Sequence, residues 1–224
     1  MNFYPHTIVE NFYHNPDAIR KFALAQKYQF CDETPNSKYV FPGCRSQELL
    51  SIDITLYRNI CKKFFSIFHN SKHDFMNWYI ATSFQVVTKE FGRGVIHRDH
   101  DCLLAAVVYL SPEAPLDSGT SLFKPNRHFD EEKYQRALYD NDNRFKSGEK
   151  RMDLTYHHMF DEVVRVNNVY NSMIIYEGDY FHAANDFFGQ SLESGRLAQV
   201  FFVSRIEAQT SDSFPMNRVN IVKT

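Results

Sequence analysis

Four ionisable residues, His97, Asp99, His100 and Asp101, crowd the head of an apolar run in the stretch GVIHRDHDCLLAAVVYL, Gly94 to Leu110. A buried strand tolerates such groups only where something pairs with them, so they lie outside the core or hold a ligand. His97-Arg98-Asp99 is an H-x-D triplet. On an extended chain residues i and i+2 share a face, which sets an imidazole beside a carboxylate as a chelating pair. The triplet is weak evidence alone, because a chain of 224 residues with 10 His and 15 Asp contains about 0.7 H-x-D triplets by chance.

A non-haem Fe(II) centre of the facial-triad kind needs a second His and leaves three coordination positions open for co-substrate and oxygen. His182, in YEGDYFHAA, follows the apolar strand SMIIY by a short turn and is placed to arrive at the same end as His97. Taken alone it reads as an aromatic-loop histidine packed among Tyr180 and Phe181. Arg196 opens RLAQVFFV; an arginine facing the interior needs an anionic partner, and a carboxylate held by both arms of the fork is the natural one. The commoner fate of such a residue is a strand end with its head in solvent. His-x-Asp, then His, then Arg on successive strands is more specific than any one of them.

The elements that must position these groups are legible in outline. HTIVENFY reads as a short strand, and NPDAIRKFALAQKY as a helix with Asn15 as its cap and Pro16 at its first position. After a Pro/Gly loop, CDETPNSKYVFPGCRSQ, the apolar residues Leu56, Ile60, Phe64 and Ile67 recur at helical spacing and predict a second helix to about Asn70. WYIATSFQVVTKEF and CLLAAVVYL read as strands joined through GRG at 92–94, a hairpin with His97 near its turn. SPEAPLDSGT is a loop and SLFK a strand. Residues from about 127 to 162 form a polar, partly helical insertion over the sheet. VVRVNNVYNSMIIYEG returns to strand, DYFHAANDFFGQSLESG reads as a loop, and RLAQVFFVSRI is the last strong strand. The pattern predicts an α+β domain, mainly β, with two N-terminal supporting helices and facing sheets in a jelly-roll-like, cupin-like sandwich. One domain is expected over 1–224: strand and helices in 1–75, a jelly-roll core in 76–206 interrupted at about 127–162, and a peripheral tail in 207–224.

With 21 Phe and 13 Tyr in 224 residues there is ample bulky material for a core. A net charge of −2 gives no basic footprint, so a small-molecule or peptide/protein substrate is expected and a nucleic acid is not. Cys31, Cys44, Cys61 and Cys102 are widely spaced and form no C-x-x-C pair, which suggests neither a zinc site nor a disulfide framework and makes a reducing cytoplasm the default compartment. No stretch approaches the roughly 18 apolar residues of a membrane span, and the chain is expected to be soluble.

The order and setting of these residues resemble the Fe(II)- and 2-oxoglutarate-dependent dioxygenases, in particular the prolyl-hydroxylase-like branch and its small phage and bacterial relatives. The resemblance rests on VIHRDHDCLLAAVVYLSPEAPLDSGTSLFK and YNSMIIYEGDYFHAANDFFGQSLESGRLAQVFFV, with NFYHNPDAIRKFAL and FPGCRS near the start also similar. It implies a double-stranded β-helix, His97, Asp99 and His182 as iron ligands, and Arg196 on the far carboxylate of 2-oxoglutarate. It further implies consumption of O2, release of succinate and CO2, and hydroxylation of a substrate C–H bond. Two departures stand out. Thirteen residues separate His182 from Arg196, more than in many family members, so NDFFGQSLES must bulge without spoiling the arginine's register. The family often places a Tyr on the strand before H-x-D against 2-oxoglutarate; here that strand reads FQVVTKEF, and Gln85, Thr88 or Tyr109 are the substitutes. The insertion at 127–162 and the loop at 31–45 are the lid candidates. A different class of function, a non-catalytic jelly-roll module binding carbohydrate or protein, would keep the same polar mouth and ignore both iron and 2-oxoglutarate.

Overall fold

The computed structural model describes residues 6–33, 40–68, 76–99, 101–208 and 220–221. Among the described residues eleven strands run in chain order: β1 (His6–Val9), β2 (Tyr28–Phe30), β3 (Cys44–Ser46), β4 (Met76–Val87), β5 (Leu104–Tyr109), β6 (Thr120–Pro125), β7 (Phe160–Val166), β8 (Met173–Glu177), β9 (Phe181–Ala184), β10 (Arg196–Ala208) and β11 (Asn220–Ile221). Four α-helices accompany them: α1 (Pro16–Leu24), α2 (Leu49–Ile52), α3 (Ile54–Ser66) and α4 (Glu131–Lys146). The larger sheet has the order β1-β8-β5-β10-β4-β3-β2, with β11 parallel to the end of β10, and the smaller has the order β7-β6-β9. All other pairings are antiparallel. Two facing antiparallel sheets are what a jelly-roll arrangement requires.

Alternation along β10 explains the layering. Leu197, Phe201 and Val203 join a core with Ile60 and Phe64 of α3 and Ala23 of α1, and the Phe64 and Phe201 rings stack at 5.4 Å. The intervening residues, Arg196, Ala198, Val200 and Phe202, therefore face the smaller sheet. Between the sheets lies a second core of Ala105, Tyr109, Leu122, Val166, Ile174 and Tyr176. A third, with Tyr134, Tyr156 and Met159 packed on Phe123, Phe160 and Phe181, covers the outer face of the smaller sheet under α4.

The helices begin as their caps dictate. The Asn15 side chain accepts from the Ala18 N–H at 3.1 Å with Pro16 at the first position, and Asp53 accepts from the Leu56 N–H at 2.9 Å. Four expectations need correction. The first helix stops at Leu24, because Tyr28–Phe30 pair with Cys44–Ser46 as a strand. β4 and β5 do not form a hairpin: Ala198 of β10 pairs with Gln85 on one side and Tyr109 on the other. β10 is apolar on both faces and so belongs in the middle of the sheet. The segment read as one long loop contains β9, held by β6 through the register Leu122↔His182. The insertion packs on the outside of the smaller sheet, with Tyr134 fully buried, and is a cover for that sheet rather than a lid on its inner face. The expected end of the second helix near Asn70, and most of the tail, fall outside the described residues. Among the described residues no helix is long and apolar enough to cross a membrane.

Candidate metal centre

His97 and His182 lie directly opposite one another in an isolated bridge, exchanging two backbone hydrogen bonds of 3.1 and 2.9 Å. Opposed residues of an antiparallel pair project to the same side. The rings accordingly meet with centroids 4.3 Å apart. Asp99, two residues on, completes the group: its carboxylate lies 3.7 Å from His97 Nε2 and 3.4 Å from His182 Nε2. One ligand atom from each of the three falls within 4.8 Å of the others. The Asp99 N–H donates to the Gly178 carbonyl at 2.7 Å, and a Cβ at Gly178 would stand 2.4 Å from the Cys102 carbonyl oxygen and 2.9 Å from that of Asp99. Only glycine lets the two segments approach closely enough to set this carboxylate.

The imidazole orientations test whether a metal fits. His97 Nδ1 lies 3.0 Å from the Val95 carbonyl and His182 Nδ1 2.8 Å from the Tyr180 carbonyl. A carbonyl only accepts, so each Nδ1 carries the proton and each Nε2 presents a lone pair toward Asp99. Two lone pairs and a carboxylate thus converge with no proton among them, an arrangement a cation completes. Backbone carbonyls orienting the far nitrogen are the usual support of a metal-binding histidine. Two imidazoles and one carboxylate are also the donor set of facial Fe(II) sites.

The local charges agree. Burial, then the neighbouring His182, lowers the His97 pKa to about 4, keeping the ring neutral. Burial alone would raise the Asp99 pKa, but the adjoining His182 and His97 imidazoles and the charge of Arg45 outweigh it and hold the carboxyl below the usual range. Tyr176 packs its ring 4.7 Å from that of His182 and closes the inner side.

Deeper between the sheets, Arg196 is only 6% exposed. Its Nε donates to the Ser118 carbonyl at 3.0 Å, and Nη2 lies 3.5 Å from the Gly119 carbonyl. Its guanidinium sits 5.4 Å from the Tyr109 ring centroid, and the Tyr109 hydroxyl donates to Thr120 Oγ1 at 2.9 Å. Among the described residues no carboxylate lies within ion-pair distance of Arg196. Its described partners, the Ser118 and Gly119 carbonyls and the Tyr109 hydroxyl, are all uncharged, so the buried guanidinium has no counter-charge among them. The long segment after His182 does not disturb it: Ser191 and Ser194 close a turn, Gly195 donates to Ser191, and Arg196 enters β10 opposite Val87.

Of the three proposed substitutes for the family tyrosine, Tyr109 stands beside Arg196. Gln85 shares that face of the sheet but binds the Arg45 Nε at 3.1 Å and the Pro42 carbonyl at 2.8 Å. Thr88 lies beyond the end of β4. Asn171, at φ 63°, spends its side chain on the backbone of Tyr13 and is structural. Asn185 is buried with neither amide atom hydrogen-bonded. His157 accepts from the Ile96 N–H at 3.3 Å and His158 lies on the surface, so that pair stands apart from the centre. Asp101 is exposed, and His100 is outside the described residues. Sequence reasoning passed over Tyr176 and Arg45. The period-2 pattern of SMIIYE could have pointed to the first, whereas the second becomes visible only through cross-strand register.

Residues 3–203 match the sequence model of a family described as a family of unknown function, DUF6445. Among the curated proteins, none matches. Among solved structures, HygX from Streptomyces hygroscopicus with nickel, 2-oxoglutarate and hygromycin B bound is 11% identical. That alignment covers 98% of this chain and 93% of HygX at a TM-score of 0.54. The same protein with nickel and 2-oxoglutarate is 10% identical over 97% and 91% of the two chains, at 0.52. A prolyl-4-hydroxylase of Pseudomonas putida is more distant, 13% identical over 90% and 88%, at 0.38. The HygX likeness establishes a shared fold.

Proposed function

The chain belongs to the DUF6445 family, and from that premise we propose that it is a non-haem Fe(II)- and 2-oxoglutarate-dependent dioxygenase that hydroxylates a C–H bond of a small-molecule or peptide/protein substrate. One observation carries the reading: His97, His182 and Asp99 converge as three acceptors with both Nδ1 protons turned away, in the same inter-sheet space as the uncompensated Arg196. The antiparallel sandwich then corresponds to a double-stranded β-helix. HygX supports the assignment as a protein of this fold solved with nickel and 2-oxoglutarate bound, and also with iron bound.

Bound at this site, Fe(II) and 2-oxoglutarate supply, with O2, the oxidative decarboxylation that yields succinate and CO2 and drives oxidation of the substrate. The protein's own part is positional. His97 and His182 offer Nε2, and Asp99 stays ionised at neutral pH to complete the set. Arg196 receives the carboxylate of the co-substrate remote from the metal. Charge-assisted hydrogen bonds there gain strength from burial. The Tyr109 hydroxyl, kept protonated because burial raises its pKa, stays neutral beside that carboxylate with its proton directed to Thr120 Oγ1. Leu122, Ile174 and Tyr176 exclude water from the inner end.

Anaerobic titration of metal-stripped protein with Fe(II) and then 2-oxoglutarate tests this. A visible charge-transfer band that requires both additions, with a matching rise in Tm, is the expected result. No band and no stabilisation would leave the three residues structural and favour the non-catalytic binding module.

A further inference from the structure

Arg45 is a second cation of this interior, and the proposed reaction leaves it without a task. It stands on β3 opposite Gln85, which is opposite Ala198 on β10, itself opposite Tyr109 on β5. Residues opposed across antiparallel strands share a face, so Arg45 projects into the same inter-sheet space as Tyr109 and Arg196. Its course there is fixed. Nε donates to Gln85 Oε1 at 3.1 Å, and Gln85 is anchored in turn by Nε2 to the Pro42 carbonyl at 2.8 Å. The guanidinium carbon lies 4.5 Å from the Phe41 ring centroid and 5.5 Å from that of Phe202.

Phe202 locates the far end of the side chain. It pairs with Ala105, and Ala105 with Tyr176, whose ring packs on His182. Arg45 thus leans along the sheet toward the metal-binding end, whereas Arg196 sits at the opposite end of the same face. Arg45 is partly buried, and loss of hydration lowers its pKa to about 10.

Among the described residues, the Gln85 contact is the one hydrogen bond the Arg45 side chain donates, and no carboxylate lies within ion-pair distance of it. A desolvated guanidinium without a counterion is unfavourable until an anion arrives. The co-substrate does not fill that role. A divalent ion, Asp99, the 2-oxoglutarate dianion and Arg196 already balance in charge, which leaves the positive charge of Arg45 over.

We infer that Arg45, held by Gln85 between Phe41 and Phe202, binds a carboxylate of the acceptor substrate and selects for carboxylate-bearing acceptors. The inference rests on the dioxygenase reading. Both rings lie close to the guanidinium, and among the described residues neither Nη group donates a hydrogen bond, which leaves the pair of donors that a bidentate carboxylate takes.

The test uses the full chain loaded anaerobically with Fe(II) and saturating 2-oxoglutarate, titrated with benzoate and, separately, benzamide. Binding is read by calorimetry and by the shift of the charge-transfer band, whose retained intensity shows that 2-oxoglutarate has not been displaced. Benzoate is expected to bind at least tenfold more tightly than benzamide. In Arg45→Gln the difference should shrink to within twofold while 2-oxoglutarate affinity stays within twofold of the parent, and Arg45→Lys should retain part of the preference. Equal affinities for benzoate and benzamide in the parent protein overturn the inference, even if Arg45→Gln fails to fold. So does a tenfold loss of 2-oxoglutarate affinity in Arg45→Gln, which would assign the residue to the co-substrate. Failure of the loading step, before any benzoate is added, overturns the dioxygenase reading and this inference with it; successful loading without a carboxylate preference overturns the Arg45 assignment alone.

Discussion

His182 serves the centre twice, through a ring that faces Asp99 and a backbone that pairs with His97. Replacing it with Ala removes the first role and keeps the second. His182→Ala should therefore fold with an unchanged far-ultraviolet circular dichroism spectrum yet show no Fe(II)-dependent rise in Tm; retained iron affinity would remove His182 from the site. Arg196→Ala separates the other half. The metal should still bind, while 2-oxoglutarate affinity falls about a hundredfold, in line with the roughly 2–5 kcal/mol cost of truncating one partner of a buried charged pair. Unchanged affinity in an anaerobic titration would refute the assignment. His97, Asp99 and Arg196 were legible in the sequence because each sets a charged or imidazole group at the head of an apolar run, whereas His182 was read in a loop and stood out only because His97 needed a second imidazole. Arg45 gives no such sign. It sits in FPGCRS, a loop-like stretch, and its importance arises from standing opposite Gln85, a relation between residues forty positions apart that no local pattern encodes.

At the scale of elements, Asn15 and Asp53 marked their helices because a cap is a short-range hydrogen bond written into a few consecutive residues. β9 was harder to read. FHAA is brief and flanked by polar and aromatic residues, and it is a strand because β6 supplies its partner. The β4–β5 hairpin failed as an expectation for the same reason: alternation identifies a strand but not its neighbour, and β10 arrives from almost a hundred residues away to lie between them. Glycine contacts show how tightly such long-range packing is set. Gly178→Ala would push a methyl group against the Cys102 and Asp99 carbonyls, backbone atoms that cannot rotate away. A cost of about 1–3 kcal/mol is expected, with a Tm lower by about 2–4 °C per kcal/mol for a chain of this size. Weakened Fe(II) binding should accompany it, because the Asp99 N–H hangs on the Gly178 carbonyl. Thermal melts with and without Fe(II) would show both effects.

Across the whole molecule, buried neutral imidazoles tie stability to pH. The His157 pKa is lowered to about 4, first by burial and then by the neighbouring Arg93. In the unfolded chain it titrates near 6.5. Between those values the unfolded state binds a proton that the native state refuses, so stability is fully present above about pH 6.5 and falls as the pH drops toward 4. In metal-free protein His97 adds to the same slope. Denaturant melts from pH 7 to 4 should show the decline, and His157→Gln should make it shallower; an equal slope in that variant would exclude His157 as a source. The isolated His97–His182 bridge has a further consequence. Two backbone hydrogen bonds hold the segment carrying His97 and Asp99 against β9 at that point, whereas a shared ion would bind both sides at once and act as a removable cross-link. Its strength would follow free-ion concentration, reaching about 2.7 kcal/mol at a hundredfold excess over Kd. Amide hydrogens of residues 95–99 should then exchange rapidly in metal-free protein and slowly once Fe(II) is added, and proteases should cut the metal-free chain there first. Iron supply would in this way set the lifetime of the chain as well as its competence.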